Sequence, residues 1–181
     1  MNEASAQYRG ATYYVDSVTG NDGNAGLSPA SATKTLQAGV RKLNPAGGDT
    51  LVLKGTFNET LNLSFINTRS DPNRETVIKC AVEANGRPLP AIVDGGIPGA
   101  ASSFPYDCQG KDPGFVAGKG NYLDRGISIL SCTYVTVDGL EVRGIAGLGI
   151  LGWRSSCLTL KNLKLEWITD SKFITIIFLI R

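Results

Sequence analysis

Hydrophobic and polar residues alternate in short runs along the second half of the chain, and these runs recur. The segment 131–144, SCTYVTVDGLEVRG, aligns with 154–167, RSSCLTLKNLKLEW, when it is shifted by 23 positions. Period-two alternation is typical of half-buried β-strands. The shift places apolar residues on apolar residues four times, Val135 on Leu158, Val137 on Leu160, Leu140 on Leu163 and Val142 on Leu165.

A third run precedes each of these pairs. GISIL at 126–130 matches GLGIL at 147–151, here with a step of 21. Each unit of about 22 residues therefore contains three short strands, which is the pattern of a parallel β-helix solenoid. We expect strands of one coil to stack on their counterparts in the next.

The corner between the second and third strands of each unit has its own signal. Asp138-Gly139 in one unit corresponds to Lys161-Asn162 in the next. Gly and Asn are the residues that best tolerate the left-handed backbone conformation. We expect one left-handed residue to bend the chain there while the apolar side chains on both sides stay inward.

Segments upstream of these repeats extend the pattern of short strands and include a helix that would cap it. Strand-and-turn segments at 49–55, 59–65, 75–81 and 91–96 predict about four to five coils beginning near residue 48. They are followed by a Gly- and Pro-rich segment without alternation, 97–125, which we predict to be a long loop insertion. In 33–43, Leu36, Val40 and Leu43 have helical spacing, with Thr33 or Thr35 as N-cap. This short helix would cap the open hydrophobic end of the solenoid.

Domain organisation follows from these elements. Residues 1–11 are predicted to be a disordered tail or signal remnant, 12–47 a strand, a turn and the capping helix, and 48–181 the coils. The 181 residues suffice for one domain with a core, and 22 glycines favour tight turns over helices. The expected fold class is all-β.

Composition excludes several kinds of chemistry. The formal net charge of +2, with scattered Lys and Arg, gives no basic face for nucleic acid. The absence of histidine excludes Ser-His-Asp and Cys-His nucleophiles and histidine-bound zinc. Catalysis would need carboxylates, Lys, Arg, Tyr or a bound cation, and no organic cofactor is expected.

The cysteines and the two termini bear on location. Cys80, Cys108, Cys132 and Cys157 contain no CxxC pair, and both disulfides and buried free thiols stay open. Ala4-Ser5-Ala6 fits a signal-cleavage pattern, so we interpret residues 1–11 as the remnant of a secretory signal and expect a secreted, extracellular protein. The apolar segment 173–180 is far shorter than the roughly 20 residues that span a bilayer, so no membrane insertion is expected.

Two consecutive strings carry a family resemblance. YYVDSVTGNDGNAGLSPASATKTLQAGV (13–40) and GGDTLVLKGTFNE (47–59) look like the opening module of many secreted bacterial proteins. With the coils, residues 12–167 resemble the right-handed parallel β-helix proteins of the pectate-lyase-like superfamily. The resemblance implies a polysaccharide lyase that cleaves an acidic polysaccharide of uronic acids by β-elimination, with Ca²⁺ held by acidic residues and Lys or Arg as base.

Two alternatives to a lyase remain open. One is a glycoside hydrolase using two carboxylates. The other is a non-catalytic binding or adhesion module, or an inactive truncated fragment. Members of the superfamily usually have more coils, and Thr175 follows Thr159 by 16 residues instead of 23. We therefore expect a truncated amino-terminal part whose exposed C-terminal coil could self-associate through unpaired strand edges.

Outward residues of the repeat are the candidate site. The 23-residue step places Asp138 beside Lys161, Glu141 beside Lys164 and Arg143 beside Glu166, about 4.8 Å apart from coil to coil. One interpretation is a set of surface cross-strand ion pairs. The other is a sugar-binding groove lined by Glu141, Arg143 and Lys164. Aromatic side chains could stack on sugars or pack at the rim: Tyr134, Trp153 and Trp167.

Calcium has two kinds of candidate position. Asp94 and Asp138 each precede glycine and would be either Ca²⁺ ligands or turn residues. The oxygen-rich segment 15–26, VDSVTGNDGNAG, fails as an EF-hand, since Leu27 replaces the required glycine and Thr33 the bidentate glutamate. We interpret that segment as a turn between the first strand and the capping helix.

Overall fold

The computed structural model describes residues 10–96, 123–168 and 175–177, which are mostly β-strand with few helices. The helical segments are a 3₁₀ turn, Pro29–Ser31, and α1, Leu36–Val40. Most of the predicted loop, 97–122, and the ends 1–9 and 178–181 lie outside the described residues. The strands are β1 Thr12–Asp16, β2 Thr50–Phe57, β3 Leu61–Ser64, β4 Thr76–Cys80, β5 Ala91–Asp94, β6 Arg125–Leu130, β7 Thr133–Asp138, β8 Glu141–Ile145, β9 Leu148–Trp153, β10 Ser156–Lys161, β11 Lys164–Ile168 and β12 Thr175–Ile177.

These strands pair in parallel and form three ladders. Ladder A runs β1-β2-β4-β7-β10, ladder B runs β2-β5-β8-β11, and ladder C runs β3-β6-β9-β12. Strand β2 serves both A and B because it bends at Gly55, whose φ is +103°. From there the chain visits A, B and C in the same order in each of four repeats: β2-β3, β4-β5-β6, β7-β8-β9 and β10-β11-β12. The predicted three strands per unit are thus observed as parallel sheets.

The 23-residue step is confirmed, and the 21-residue step is wrong. Val135 pairs with Leu158 in ladder A, and Val142 with Leu165 in ladder B. In ladder C, Ile127 pairs with Ile150, so GISIL is not in register with GLGIL. The similarity of the letters was misleading, because the third strand of a repeat here advances by the same step as the other two.

The comparison of Thr175 with Thr159 was also wrong. Thr175 pairs with Leu151 of β9 in ladder C, 24 residues earlier. Thr159 belongs to β10 in ladder A, where it pairs with Thr136. A spacing between strands of different ladders carries no information about register.

Left-handed residues turn the corners. Gly139 (φ +74°) and Asn162 (φ +53°) occupy the A–B corner of the third and fourth repeats, as predicted. The C–A corner has an equivalent series that the sequence did not reveal, because its members are neither Gly nor Asn: Phe65 (φ +56°), Ser131 (φ +52°) and Arg154 (φ +50°).

The inward side chains of the three ladders form one apolar core. Val135, Val137, Leu140, Val142 and Ile145 of the third repeat are fully or almost fully buried. Their counterparts in the fourth repeat are only partly buried: Leu158, Leu160, Leu163, Leu165 and Ile168. Burial therefore decreases at the fourth repeat.

The predicted capping helix is present but shorter than 33–43. Thr35 is its N-cap, and its side chain accepts a hydrogen bond from the N–H of Ala38. The carboxylate of Glu59 accepts further bonds from Leu36 N–H (2.8 Å) and Gln37 N–H (3.2 Å). Leu36 is fully buried, so the helix covers the core at the first repeat.

One insertion was not anticipated. Between β4 and β5 the chain forms a small antiparallel excursion in which Val82 bridges Pro88. Gly86 allows its turn with φ +83°. The excursion projects from the A–B corner of the second repeat.

No helix in the described part of the chain is long and apolar enough to cross a bilayer.

Candidate functional site

A row of charged side chains lies on the outer face of ladder B. Strand alternation sends Val93, Val142 and Leu165 inward and their neighbours outward. Register then stacks Asp94 on Arg143 on Glu166, and Glu141 on Lys164. We call these five outward residues the charged row: Asp94, Glu141, Arg143, Lys164 and Glu166.

The charged row is held together by direct contacts. Arg143 Nε donates to Asp94 Oδ2 at 2.8 Å, and Arg143 Nη1 lies 3.2 Å from Glu141 Oε1. Lys164 Nζ lies 3.5 Å from Glu141 Oε2 and 3.0 Å from Glu166 Oε2. The predicted groove residues Glu141, Arg143 and Lys164 are thus brought together. The ion-pair partner of Arg143 differs from its register neighbour Glu166, because Asp94 and Glu141 take its guanidinium.

The carboxylates of the charged row stabilise the charged forms of Arg143 and Lys164. The hydrogen bond to Asp94, with the charges of Asp94 and Glu141, raises the pKa of Arg143 against a smaller opposing effect of burial. The bond to Glu166 and the nearby Glu141 raise the pKa of Lys164. A raised pKa keeps each group protonated at neutral pH, so neither is available there as a proton acceptor. The row has three carboxylates and two cations, and both cations are already paired within it.

Each calcium candidate already contacts donors of this chain. Asp94 Oδ1 accepts the N–H of Gly96 at 2.9 Å, while its Oδ2 pairs with Arg143. Asp138 Oδ1 accepts Asn162 Nδ2 at 2.8 Å, and its Oδ2 lies 3.5 Å from Lys161 Nζ. In the ranges that the structure describes, no three His, Cys, Asp or Glu side chains converge as a metal cluster. Ca²⁺ binding stays a prediction.

The oxygen-rich segment 15–26 uses its carboxylates within the fold. Asp16 Oδ1 accepts the N–H groups of Val18 (2.9 Å) and Thr19 (3.1 Å), and Oδ2 contacts Lys54 Nζ at 2.8 Å. Asp22 Oδ1 accepts the N–H groups of Lys34 and Thr35, both at 2.8 Å. The structure supports the interpretation as a turn.

Asp16 is the most strongly perturbed of these carboxyls. Burial alone would raise its pKa, but the Lys54 ammonium and the two N–H donors outweigh burial and hold the pKa well below its usual range. Its side chain is only 8% exposed. Asp16 is therefore an ionised anchor for Lys54.

The aromatic and cysteine candidates lie elsewhere. Trp153, 41% exposed, and Tyr134 flank the corner between ladders C and A, whereas the charged row lies on ladder B. The side chain of Trp167 lies outside the described residues, as does Cys108. Cys80 and Cys132 are buried free thiols whose pKa burial raises, and Cys157 is an exposed free thiol.

The sequence did not single out a cleft at the first two repeats. It has a volume of about 520 Å³, and its lining includes Tyr14, Asp16, Lys54 and Lys79. These residues come from three strands whose order in the sheet, β1-β2-β4, is set by pairing of distant segments. No local motif marks them.

No family model and no curated protein sequence matches this chain. Among solved structures, it is similar to the native form of a GH136 lacto-N-biosidase from Eubacterium ramulus, with a TM-score of 0.56 and 20% sequence identity. The selenomethionine derivative of that enzyme gives 0.57 and 20%. The match covers 90% of this chain and 29% of the native enzyme chain. At this identity the likeness concerns the fold.

Proposed function

We propose that this chain is part of a secreted carbohydrate-active protein built on a right-handed parallel β-helix of the pectate-lyase-like kind, and that the charged row binds polysaccharide. The observation that carries the proposal is the threefold ladder of parallel strands, which extends over the region similar to a glycoside hydrolase. Because this chain spans 29% of that enzyme, the reaction of the whole protein belongs to the proposal.

Hydrolysis is the reaction that the charged row supports best. Glycosidases use two carboxyl groups separated by roughly 5–9.5 Å, one of them protonated. Glu141 and Glu166 both contact the Lys164 ammonium, which keeps their carboxylates close together. The Lys164 side chain is 58% exposed and can move when a sugar enters. Its movement would free both carboxyl groups to face the sugar, one as the acid on the leaving oxygen and the other as the nucleophile or base.

β-Elimination is the second candidate. The opening module resembles that of lyases, and Arg143 and Lys164 could neutralise a uronate carboxylate, with or without Ca²⁺. Their raised pKa suits this role and not that of the base. A lyase would therefore take its base from outside the charged row.

A binding module without catalysis is the third candidate. The charges in the row pair with one another, as they also do on surfaces where ion pairs have only a structural role. This mutual pairing favours a module that does not catalyse a reaction.

One assay distinguishes the three. The protein is incubated with polygalacturonate, alginate, chondroitin and a neutral glycan bearing lacto-N-biose, with and without a chelator. New reducing ends without ultraviolet absorbance indicate hydrolysis, and absorbance of unsaturated products lost on chelation indicates a Ca²⁺-dependent lyase. Retention on a polysaccharide gel without any product indicates a binding module. Absence of products and of retention would overturn the proposal.

Matched variants tie any activity to the charged row. Glu141→Gln removes one carboxylate of the pair and should lower hydrolysis at least 100-fold, in the range of general acid–base catalysis. Asp71→Asn is the control, since Asp71 lies in the loop between β3 and β4 and pairs with Arg74 at 3.6 Å. Equal activity of both variants would exclude Glu141 from catalysis.

Extracellular location is part of the same proposal. Detection of the protein in the culture medium, with intact cells as the comparison, would support it.

A further inference from the structure

The cleft at the first two repeats has the shape and composition of a ligand site separate from the charged row. Its floor is the outer face of ladder A, where Tyr14, Lys54 and Lys79 project from β1, β2 and β4. Pro29 of the 3₁₀ turn lines it, as do Val82 and Leu89 of the excursion between β4 and β5. The cleft of about 520 Å³ therefore lies between two protruding segments.

Charge in the cleft favours an anion. Its charged lining residues are Asp16, Lys54 and Lys79, an excess of one positive charge. The Asp16–Lys54 pair at 2.8 Å neutralises itself and fixes the Lys54 side chain in place. Lys79 is exposed, and no carboxylate of the described residues lies within salt-bridge distance of it. Its register neighbour Asp138 instead contacts Lys161 and Asn162.

The remaining lining is apolar with scattered hydroxyls. Val82 is 59% exposed although it is apolar, and Pro29 and Leu89 add further hydrocarbon surface. Tyr14 and Thr19 supply hydroxyl groups. Apolar walls with a few polar groups are typical of small-molecule sites, and aromatic and aliphatic surfaces pack against the C–H faces of sugar rings.

We propose that this cleft binds a carboxylate-bearing sugar ring, such as one hexuronic acid unit, with the Lys79 ammonium on the carboxylate and the ring between Tyr14 and Val82. The ligand class rests on the proposed carbohydrate function. The site itself does not, because it lies on ladder A and shares no residue with the charged row. A single excess charge fits one carboxylate better than a multiply charged group such as phosphate.

The test is a titration of the ¹⁵N-labelled protein with glucuronate, followed by NMR. We expect backbone amide shifts at Tyr14 and Val82 that saturate at millimolar concentration. Lys79→Gln should weaken binding about 10-fold or more, as loss of a charge-assisted hydrogen bond does. Lys161→Gln is the matched control, because Lys161 stands two strands away on the same outer row but does not line the cleft. It should leave the affinity unchanged.

Three other probes complete the test. Glucose lacks the carboxylate and should bind at least 10-fold more weakly than glucuronate. Cyclohexanecarboxylate lacks the hydroxyls, and tighter binding of this probe than of glucuronate would overturn the sugar assignment. Inorganic phosphate should compete weakly or not at all.

Two results would overturn the proposal outright: amide shifts confined to other regions, or equal affinity of Lys79→Gln and the unchanged protein. Saturable binding in the cleft, without turnover or retention of any polysaccharide, would reject the proposed function and leave the site in place. Turnover of a polysaccharide without binding in the cleft would reject the proposed site and leave the proposed function in place.

Discussion

At the scale of single residues, the ion pair between the buried carboxylate of Asp16 and the exposed ammonium of Lys54 gives the fold a dependence on pH. The folded-state pKa of Asp16 lies below its ordinary value of 3.8, so its contribution to stability is complete above that value and is lost as pH falls towards the folded pKa. Asp16→Asn keeps an acceptor for the two N–H groups but removes the charge opposite Lys54. We expect it to lower the free energy of unfolding by about 1–3 kcal/mol at pH 7.

The measurement is urea unfolding at pH 7, 4 and 2.5. The difference between Asp16→Asn and the unchanged protein should shrink below pH 4. Asp71→Asn is a control, because the Asp71 carboxylate is 40% exposed and lies 3.6 Å from Arg74, so its ion pair should contribute less than about 0.5 kcal/mol. A deficit that stays constant across this pH range would show that the charge of Asp16 does not matter.

Gly139 is a second residue whose environment sets a clear expectation. Its φ is +74°, and a Cβ there would lie 2.6 Å from the Cys80 sulfur. Gly86 has a similar φ of +83° but open space around it. Gly86→Ala should therefore cost only the backbone term of about 1 kcal/mol, and Gly139→Ala about 1–3 kcal/mol more. Equal losses in thermal or chemical unfolding would argue against the close approach of Cys80.

Residue-scale prediction from sequence succeeded where the residue type itself carries the conformation. Gly139 and Asn162 were identified because few other residues adopt a left-handed conformation easily. Phe65, Ser131 and Arg154 adopt it in the structure because the stacked repeats on both sides impose it, and their side chains gave no local sign.

At the scale of elements, a glycine inside helix α1 is expected to respond to replacement by alanine in the opposite way to most helical glycines. Replacing glycine by alanine inside a helix normally stabilises it by up to about 1 kcal/mol. At Gly39, however, the new Cβ would overlap Val15 Cγ2 and lie 3.1 Å from Leu51 Cδ1. We expect Gly39→Ala to lower the free energy of unfolding by about 1–3 kcal/mol.

A double-mutant cycle tests this packing. Val15→Ala removes the atom that Gly39→Ala would strike, so the double variant should lose clearly less stability than the sum of the two single losses. Additive losses in the free energy of unfolding would mean that helix α1 does not pack closely against β1 at this point. Chemical unfolding of the four proteins supplies the cycle.

Register was predictable only where two repeats follow each other directly. The third and fourth repeats do, and alternation fixed the pairing of Glu141 with Lys164. The partner of Arg143, Asp94, lies on β5, which is separated from β8 by the long segment that interrupts the repeat. Pairing across such an insertion depends on the folded sheet, so the charged row could be only partly anticipated and the cleft at β1, β2 and β4 not at all.

At the scale of the whole molecule, the fourth repeat is less buried than the third among the residues that the structure describes. Leu158, Leu160 and Leu163 are only partly buried, whereas the matching Val135, Val137 and Leu140 are almost fully buried. Apolar surface at the end of a stack of parallel strands favours contact with another strand or another copy. We predict concentration-dependent self-association through this repeat.

Light scattering from micromolar to near-millimolar concentration measures the association. Leu160→Lys places a charge among the partly buried side chains and should shift the mass towards the monomer. Thr159→Lys, one position earlier on the same strand but facing outward, should leave the association unchanged. Both variants need cooperative unfolding curves to show that the repeats remain folded. A single monomeric mass for the unchanged protein at every concentration would contradict the prediction. Other parts of the same molecule would then cover the partly buried leucines.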